Sequence, residues 1–186
     1  MKKPHLKPIV DLVSAAVCES PPSPWETVAI IRIAGPLAVG FVDHLELVLV
    51  VSSTGTGLVD CATGDLIARD RDDTSYCPAT LNVQGLGPVS GTVVRVAGLH
   101  GGGLSQETTD GWRVERLTLE WPIESVLLFT PGSRIFNVLS GQAHEFTKIF
   151  EESGVIACGF SPSGSTLLLA TADEITIYRR ELVDNH

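Results

Sequence analysis

The sequence predicts an all-β chain of antiparallel meanders with one short helix near the N-terminus. Strand-like runs recur at short spacing, turn residues separate them, and a helical period occurs only at the start. The clearest example is GVIACGFSPSGSTLLLATADEITIYRR at 154–180, where Val155, Ala157 and Gly159 alternate with Ile156, Cys158 and Phe160. Ser161, Pro162, Ser163 and Gly164 then supply a turn before the apolar run 166–170, and Ala172, Asp173 and Glu174 lead into the alternating Ile175, Ile177 and Arg179. Such a meander has two faces and two edges to cover, so it implies neighbouring sheets.

Taken in order, residues 1–24 form a helix and a Pro-rich linker, and 25–186 form one β domain. The helix is expected over about 8–18, with Pro8 in its first turn and Ile9, Leu12, Val13 and Ala16 on one face. A basic tip followed by apolar residues raises the possibility of a secretory signal, but Pro4, Pro8 and Asp11 interrupt it. No later apolar run approaches the roughly 20 residues of a membrane span. A cytoplasmic protein is expected.

Beyond the linker, 27–33 (TVAIIRI) reads as a strand stopped at Gly35 and Pro36. Residues 45–51 (LELVLVV), 58–61 and 66–69 make a meander with closely spaced turns, and 70–75 is acidic enough to be an exposed loop. Residues 82–91 hold turn residues, 92–96 a strand, and the glycine-rich 98–103 a mobile loop. Residues 112–121, 125–129, 134–139 and 145–150 complete the series of strands before the final meander.

Among 186 residues, 44% are hydrophobic and 19% charged, which suits strands buried on both faces. The net charge of -9 argues against a nucleic-acid partner, whose phosphates call for clustered Lys and Arg, and favours a basic protein partner. Cys18, Cys61, Cys77 and Cys158 show no metal-ligand spacing, and Cys61 and Cys158 fall in strand patterns where cysteine packs as a small hydrophobe.

Residues 125–181 resemble WD40-type β-propeller repeats, and 45–71 resemble them more weakly. The resemblance rests on the order strand, Gly turn, strand, turn, strand: 132–138 (GSRIFNV) looks like a third strand with its entry turn, 144–150 like an outer strand, and 155–164 like an inner strand with its Ser-Pro-x-Gly turn. Residues 56–69 (TGLVDCATGDLIAR) are similar to the corresponding part of an earlier blade. The chain departs from the repeat at Glu151-Glu152-Ser153, where Gly-His is usual, and at Arg179-Arg180, where Trp-Asp is usual. The resemblance implies a small or partial β-propeller of antiparallel meander blades. At about 40–45 residues per blade there is room for about four, closing within the chain or through self-association with another copy. The blade ending near 180 has no evident outer strand after it, so the isolated strand 27–33 is expected to pair there.

No stretch names a reaction. His100 beside three glycines reads as a loop histidine, Asp70-Arg71-Asp72-Asp73 lacks the regular ligand pattern of a calcium loop, and Ser161 and Ser163 are outside any nucleophile-elbow motif. Neither Glu151-Glu152 nor Glu120 with Glu124 shows convergence on a cleft, and Trp25, Trp112 and Trp121 read as core fillers. No catalytic residue, metal or cofactor is expected. The expectation is a non-enzymatic protein-binding module, most concretely a bacterial immunity protein that occludes a basic toxin such as a nuclease, with Asp70, Asp72, Asp73, Glu151 and Glu152 as loop acids contacting it. The alternative is a hydrolase or lyase with a loop-built site at one end of the propeller, drawing on His100, His144 or the acids.

Overall fold

In the computed structural model, which describes residues 4–72, 75–141 and 145–182, strands dominate and pairings between named strands are antiparallel. In chain order the elements are α1 (Lys7–Ala15), β1 (Glu26–Arg32), β2 (Pro36–Phe41), β3 (Leu47–Ser52), β4 (Gly55–Asp60), β5 (Leu66–Asp70), β6 (Asn82–Gln84), β7 (Val93–Arg95) and β8 (Ala97–Gly98). They continue with β9 (Arg113–Glu120), β10 (Ile123–Phe129), α2 (Asn137–Ser140), β11 (Phe146–Glu152), β12 (Ala157–Phe160), β13 (Thr166–Ala170) and β14 (Glu174–Arg179). They group into two units: a larger one of Pro24–Ser105 and the described residues from Gly154 on, and a smaller one of Gln106–Ser153 and the described residues up to Ser23. The stretch 25–186, expected as one domain, contributes to both.

The larger unit contains a four-stranded sheet ordered β1-β14-β13-β12, a five-stranded sheet ordered β5-β4-β3-β2-β8 and the hairpin β6-β7. β1 lies along β14 with Ala29 opposite Ile177 and Ile31 opposite Ile175. The isolated strand therefore pairs where the sequence placed it. Alternation sorts the five-stranded sheet into two apolar faces. Val39, Phe41, Val48, Val50 and Val59 meet Ile156, Leu168, Ala170, Ile175 and Ile177, whereas Ala38, Leu49, Val51 and Leu58 meet Val83, Val89 and Val94. Leu49, Leu58, Leu168, Ile175 and Ile177 are wholly buried, each contributing about 1.5–3 kcal/mol through the area removed from water. At the turn from β12 to β13, Gly164 takes a φ of 76° and donates its N–H to Ser161 O at 2.9 Å, a conformation that a Cβ would disfavour.

The smaller unit holds the three-stranded sheet β11-β10-β9. Ile9 and Val13 of α1 pack with Leu127, Phe129 and Ile135. The helix ends three residues before the expected Cys18 because Ala16 turns to an extended ψ of 135°. Cys18 then bridges beside Lys148 and Glu19 donates its N–H to Lys148 O at 2.9 Å, so this backbone covers the β11 edge instead of continuing a helix.

Several expected boundaries shift. Residues 134–139 are not a strand: the N–H groups of Asn137, Val138 and Leu139 each bond the carbonyl three residues back, and Ile135 and Val138 both join the α1 cluster at helical spacing. Short apolar runs satisfy either period, and packing decided this one. Gly35 and Pro36 stop the first strand as expected, since β1 ends at Arg32, but 36–41, not read as a strand, forms β2. Gly35 turns the chain and Pro36 opens β2, a position where its missing N–H is tolerated. The 98–103 stretch expected as a loop is tied down by Gly98 N–H to Gly101 O at 2.8 Å and Leu99 N–H to Leu37 O at 2.9 Å. Trp25 and Trp112 are buried, while Trp121 is 86% exposed and fills no core gap. No helix among the described residues is long and apolar enough to cross a membrane.

Candidate functional site

The five acids singled out in the sequence fall into different surroundings. Asp70 is the last residue of β5, not a loop residue, and Asp72 follows in the bend. Asp70 Oδ1 accepts the Asp72 N–H at 2.9 Å, an Asx-type turn that orders the strand end. Both residues are exposed, and neither enters an ion pair among the described residues. Asp73, like His144, lies outside the described residues.

Glu151 and Glu152 end β11, again in a strand instead of a loop. Glu151 Oε1 accepts from Lys148 Nζ at 2.7 Å, and the Lys148 side chain is completely buried. Lys148 Nζ also donates to Val13 O at 3.1 Å, joining α1 to the sheet. A buried ammonium without its carboxylate is costly, so Glu151 is committed to the fold as a counter-ion. Glu152 stays exposed, opposite Glu124 in the β10–β11 register, while Glu124 pairs with Arg116. Asp70 and Asp72 belong to the larger unit and Glu151 and Glu152 to the smaller.

The acids of the larger unit therefore retain free negative charge at the surface. They sit at the end of an edge strand, since among the described residues β5 pairs only with β4. Along it Leu66 is 54% and Ile67 42% exposed, which puts apolar area next to unpaired backbone groups. Edge, apolar side chains and acidic end make one continuous candidate surface on residues 66–72.

A second polar feature was missed in the sequence. Half-buried Glu46, between β2 and β3, accepts hydrogen bonds from Ser163 Oγ and Thr166 Oγ1 across more than a hundred residues. Ser163 also contacts Ser161 at 2.9 Å and Ser165 at 2.8 Å. Burial pushes the Glu46 carboxyl up, but the bonds from Ser163, Thr166 and Ser165, together with the charge of Arg179, bring it below its ordinary value. A carboxylate held ionised by hydroxyl donors is a poor general base. The cluster serves as a latch between the β2–β3 connection and the β12–β13 turn. Nearby, Arg180 is buried over the Trp25 ring, 4.9 Å from its centroid, and donates from Nε to Gly164 O at 2.9 Å.

His100 Nδ1 lies 2.9 Å from Tyr76 Oη, an exposed pair joining the 98–103 segment to residue 76. Among the described residues no group of three or more His, Cys, Asp and Glu is placed to hold a metal ion. Cys61 and Cys158 are buried and in no disulfide, and burial, reinforced by Glu46 and Asp60, pushes the Cys61 thiol up to about 12. No protein-family model matches the chain, and no curated protein matches its sequence.

Proposed function

We propose that the chain is a protein-binding module of small or partial β-propeller type, and that it engages a basic protein partner through the β5 edge and its acidic end. The observation that carries this reading is the pair Asp70 and Asp72: exposed, without a cationic partner among the described residues, and adjoining exposed Leu66 and Ile67 on an unpaired edge. An edge strand supplies main-chain donors and acceptors, apolar side chains supply affinity, and carboxylates steer a basic partner during encounter. The propeller assignment draws support from two meander sheets stacked through a shared apolar core and from the recruitment of β1 to β14. In its most concrete form, the module is a cytoplasmic immunity protein that neutralises a basic toxin such as a nuclease, consistent with the net charge of -9. Glu151 drops out of the binding surface because Lys148 already holds it.

The test starts from a basic partner captured from the native host at low salt and purified. Replacing both residues, Asp70→Asn and Asp72→Asn, should leave stability within about 0.5 kcal/mol, as surface changes usually do. It should slow association about tenfold at low salt, with the difference shrinking as salt is added. An association rate that matches the unmodified protein would remove this surface from consideration, and recovery of no basic partner would remove the proposed partner class.

A further inference from the structure

The face of the five-stranded sheet that packs on the four-stranded sheet is filled at one end and open at the other. Across β3, β4 and β5 the rows on that face run Val48–Val59, then Val50–Gly57–Arg69, then Ser52–Gly55. Val48, Val50 and Val59 belong to the shared apolar core, but the next positions are glycines. Where two sheets would otherwise fill the gap with side chains, Gly57 and Gly55 leave space beneath the β1 edge. The result is a cavity of about 360 Å³, lined by Ile31, Ile33, Val50, Val59 and Leu66 on its apolar walls and by Arg32, Arg69, Ser52 and Thr54 on its polar side. That volume falls in the roughly 300–1,000 Å³ range of small-molecule sites.

Charge in this groove runs against that of the protein. The chain carries 22 acidic and 13 basic residues, yet no Asp or Glu lines the groove; of the two arginines at its wall, Arg69 shares the row of Gly57, whereas alternation along β1 turns the Arg32 side chain away from the face of Ile31 and Ile33. Neither guanidinium lies within ion-pair distance of a carboxylate among the described residues, although Glu174 stands opposite Arg32 in the β1–β14 register. Arg69 is positioned from below: it donates from Nη2 to Thr54 Oγ1 at 2.8 Å and to Thr54 O at 3.2 Å, which leaves its remaining N–H groups for another acceptor. Ser53 Oγ bonds Ala34 O at 3.0 Å and Ser53 N–H bonds Gly35 O at 3.0 Å, fastening the β1–β2 connection to the β3–β4 turn at the groove's end.

The geometry points to a binding site for a small organic monoanion, an aliphatic carboxylate whose chain lies over Gly57 between Ile31, Val59 and Leu66 and whose oxygens meet Arg69. Arginine suits this role because its planar fork matches two carboxylate oxygens and is less strongly hydrated than an ammonium. The acids of the proposed partner surface lie outside the groove, since alternation places Asp70 on the opposite face of β5 from Arg69, while Leu66 is common to both.

Gly57 provides a steric test. Its φ is not positive, and a Cβ there would lie 3.1 Å from Leu66 Cδ1, the movable end of an exposed side chain. Gly57→Leu therefore fills the groove without straining the backbone. With octanoate as the probe, titration followed by amide NMR shifts should saturate at residues 31–33, 55–57 and 66–69. Arg69→Gln should weaken it about tenfold, Gly57→Leu should abolish it, and the Asp70→Asn and Asp72→Asn protein should bind as before. Absence of saturable shifts with octanoate would overturn the assignment. Equal binding of octylammonium, or octanoate affinity unaltered by Arg69→Gln, would do the same.

Discussion

The two units solve one problem differently. Each must bind an N-terminal segment to strands far along the chain. In the larger unit β1 does so as a strand, adding ladder hydrogen bonds to β14 and packing Val28 and Ile31 on a core shared by two sheets. In the smaller unit α1 does so as a helix over one sheet, with a compact cluster around Ile135 and the buried Lys148 reaching the carbonyl of Val13. Sheet on sheet lets long apolar rows interdigitate, whereas helix on sheet concentrates the contact on a few side chains and here includes a charge. Continuity of packing is thus greater in the larger unit, and polar contacts there are latches at the rim instead of ties through the core.

The sharpest way to break the comparison is to cut one side chain from each core. Leu168→Ala, in the shared core of the larger unit, should cost about 3–5 kcal/mol, and Ile135→Ala about 2–4 kcal/mol because the turn that holds it, just before the one-turn helix α2, can settle into the space. Urea unfolding of the two variants measures both, and a larger loss for Ile135→Ala would reverse the ranking.

Next in size are two half-buried carboxylates. Glu46→Gln should destabilise by about 1–2 kcal/mol through weakened hydroxyl bonds. Because the folded carboxyl lies below its ordinary value, the stabilisation is fully present above about pH 4.3 and fades as pH falls through the folded value. Glu115 on β9 is the opposite case: burial raises it, and Arg113 and Arg134 only partly offset this. Its ionised form opposes folding, and stability returns as pH falls through the raised value. Glu115→Gln should then be neutral or slightly stabilising near pH 7. Thermal melts from pH 3 to 7 distinguish the pair, and parallel pH curves for both variants would contradict the assignment.

The smallest effect leaves stability untouched and reports the burial and hydrogen bonding of each thiol. Hydrogen bonds from Thr80 lower the exposed Cys77 thiol, with its own backbone and that of Ala79 adding to them, whereas burial holds Cys61 near 12 and raises Cys18. Alkylation near neutral pH, read by peptide mass, should modify Cys77 first, Cys18 next and Cys61 last. Early labelling of Cys61 would show that the core between the sheets opens readily.

Much of the β content was legible because period-two alternation and turn residues are local signals. The run 166–170 became β13 with the same limits, and the unpartnered strand 27–33 pointed to its place beside β14. What local signals left open was decided by packing. Residues 134–139 fit either period until Ile135 and Val138 turned to the same cluster. Pro36 helped to stop β1 as read, but that it also opens β2 opposite Ser52 was not legible locally. The candidate surfaces divide in the same way. Exposed acids at 70 and 72 could be read from a charged run, but Glu151 could not be separated from them until Lys148 came within 2.7 Å.

By itself, then, the sequence determined the antiparallel β class, the acidic balance and the positions of most strands, since each depends on neighbours a few residues away. Tertiary structure alone decided that Glu46 is held by the 161–166 turn, that Lys148 consumes Glu151, and that Gly57 leaves room beside Arg69. Those relations join residues that sequence separation hides, and they arise only when strands fall into register and the two faces of a sheet find different partners.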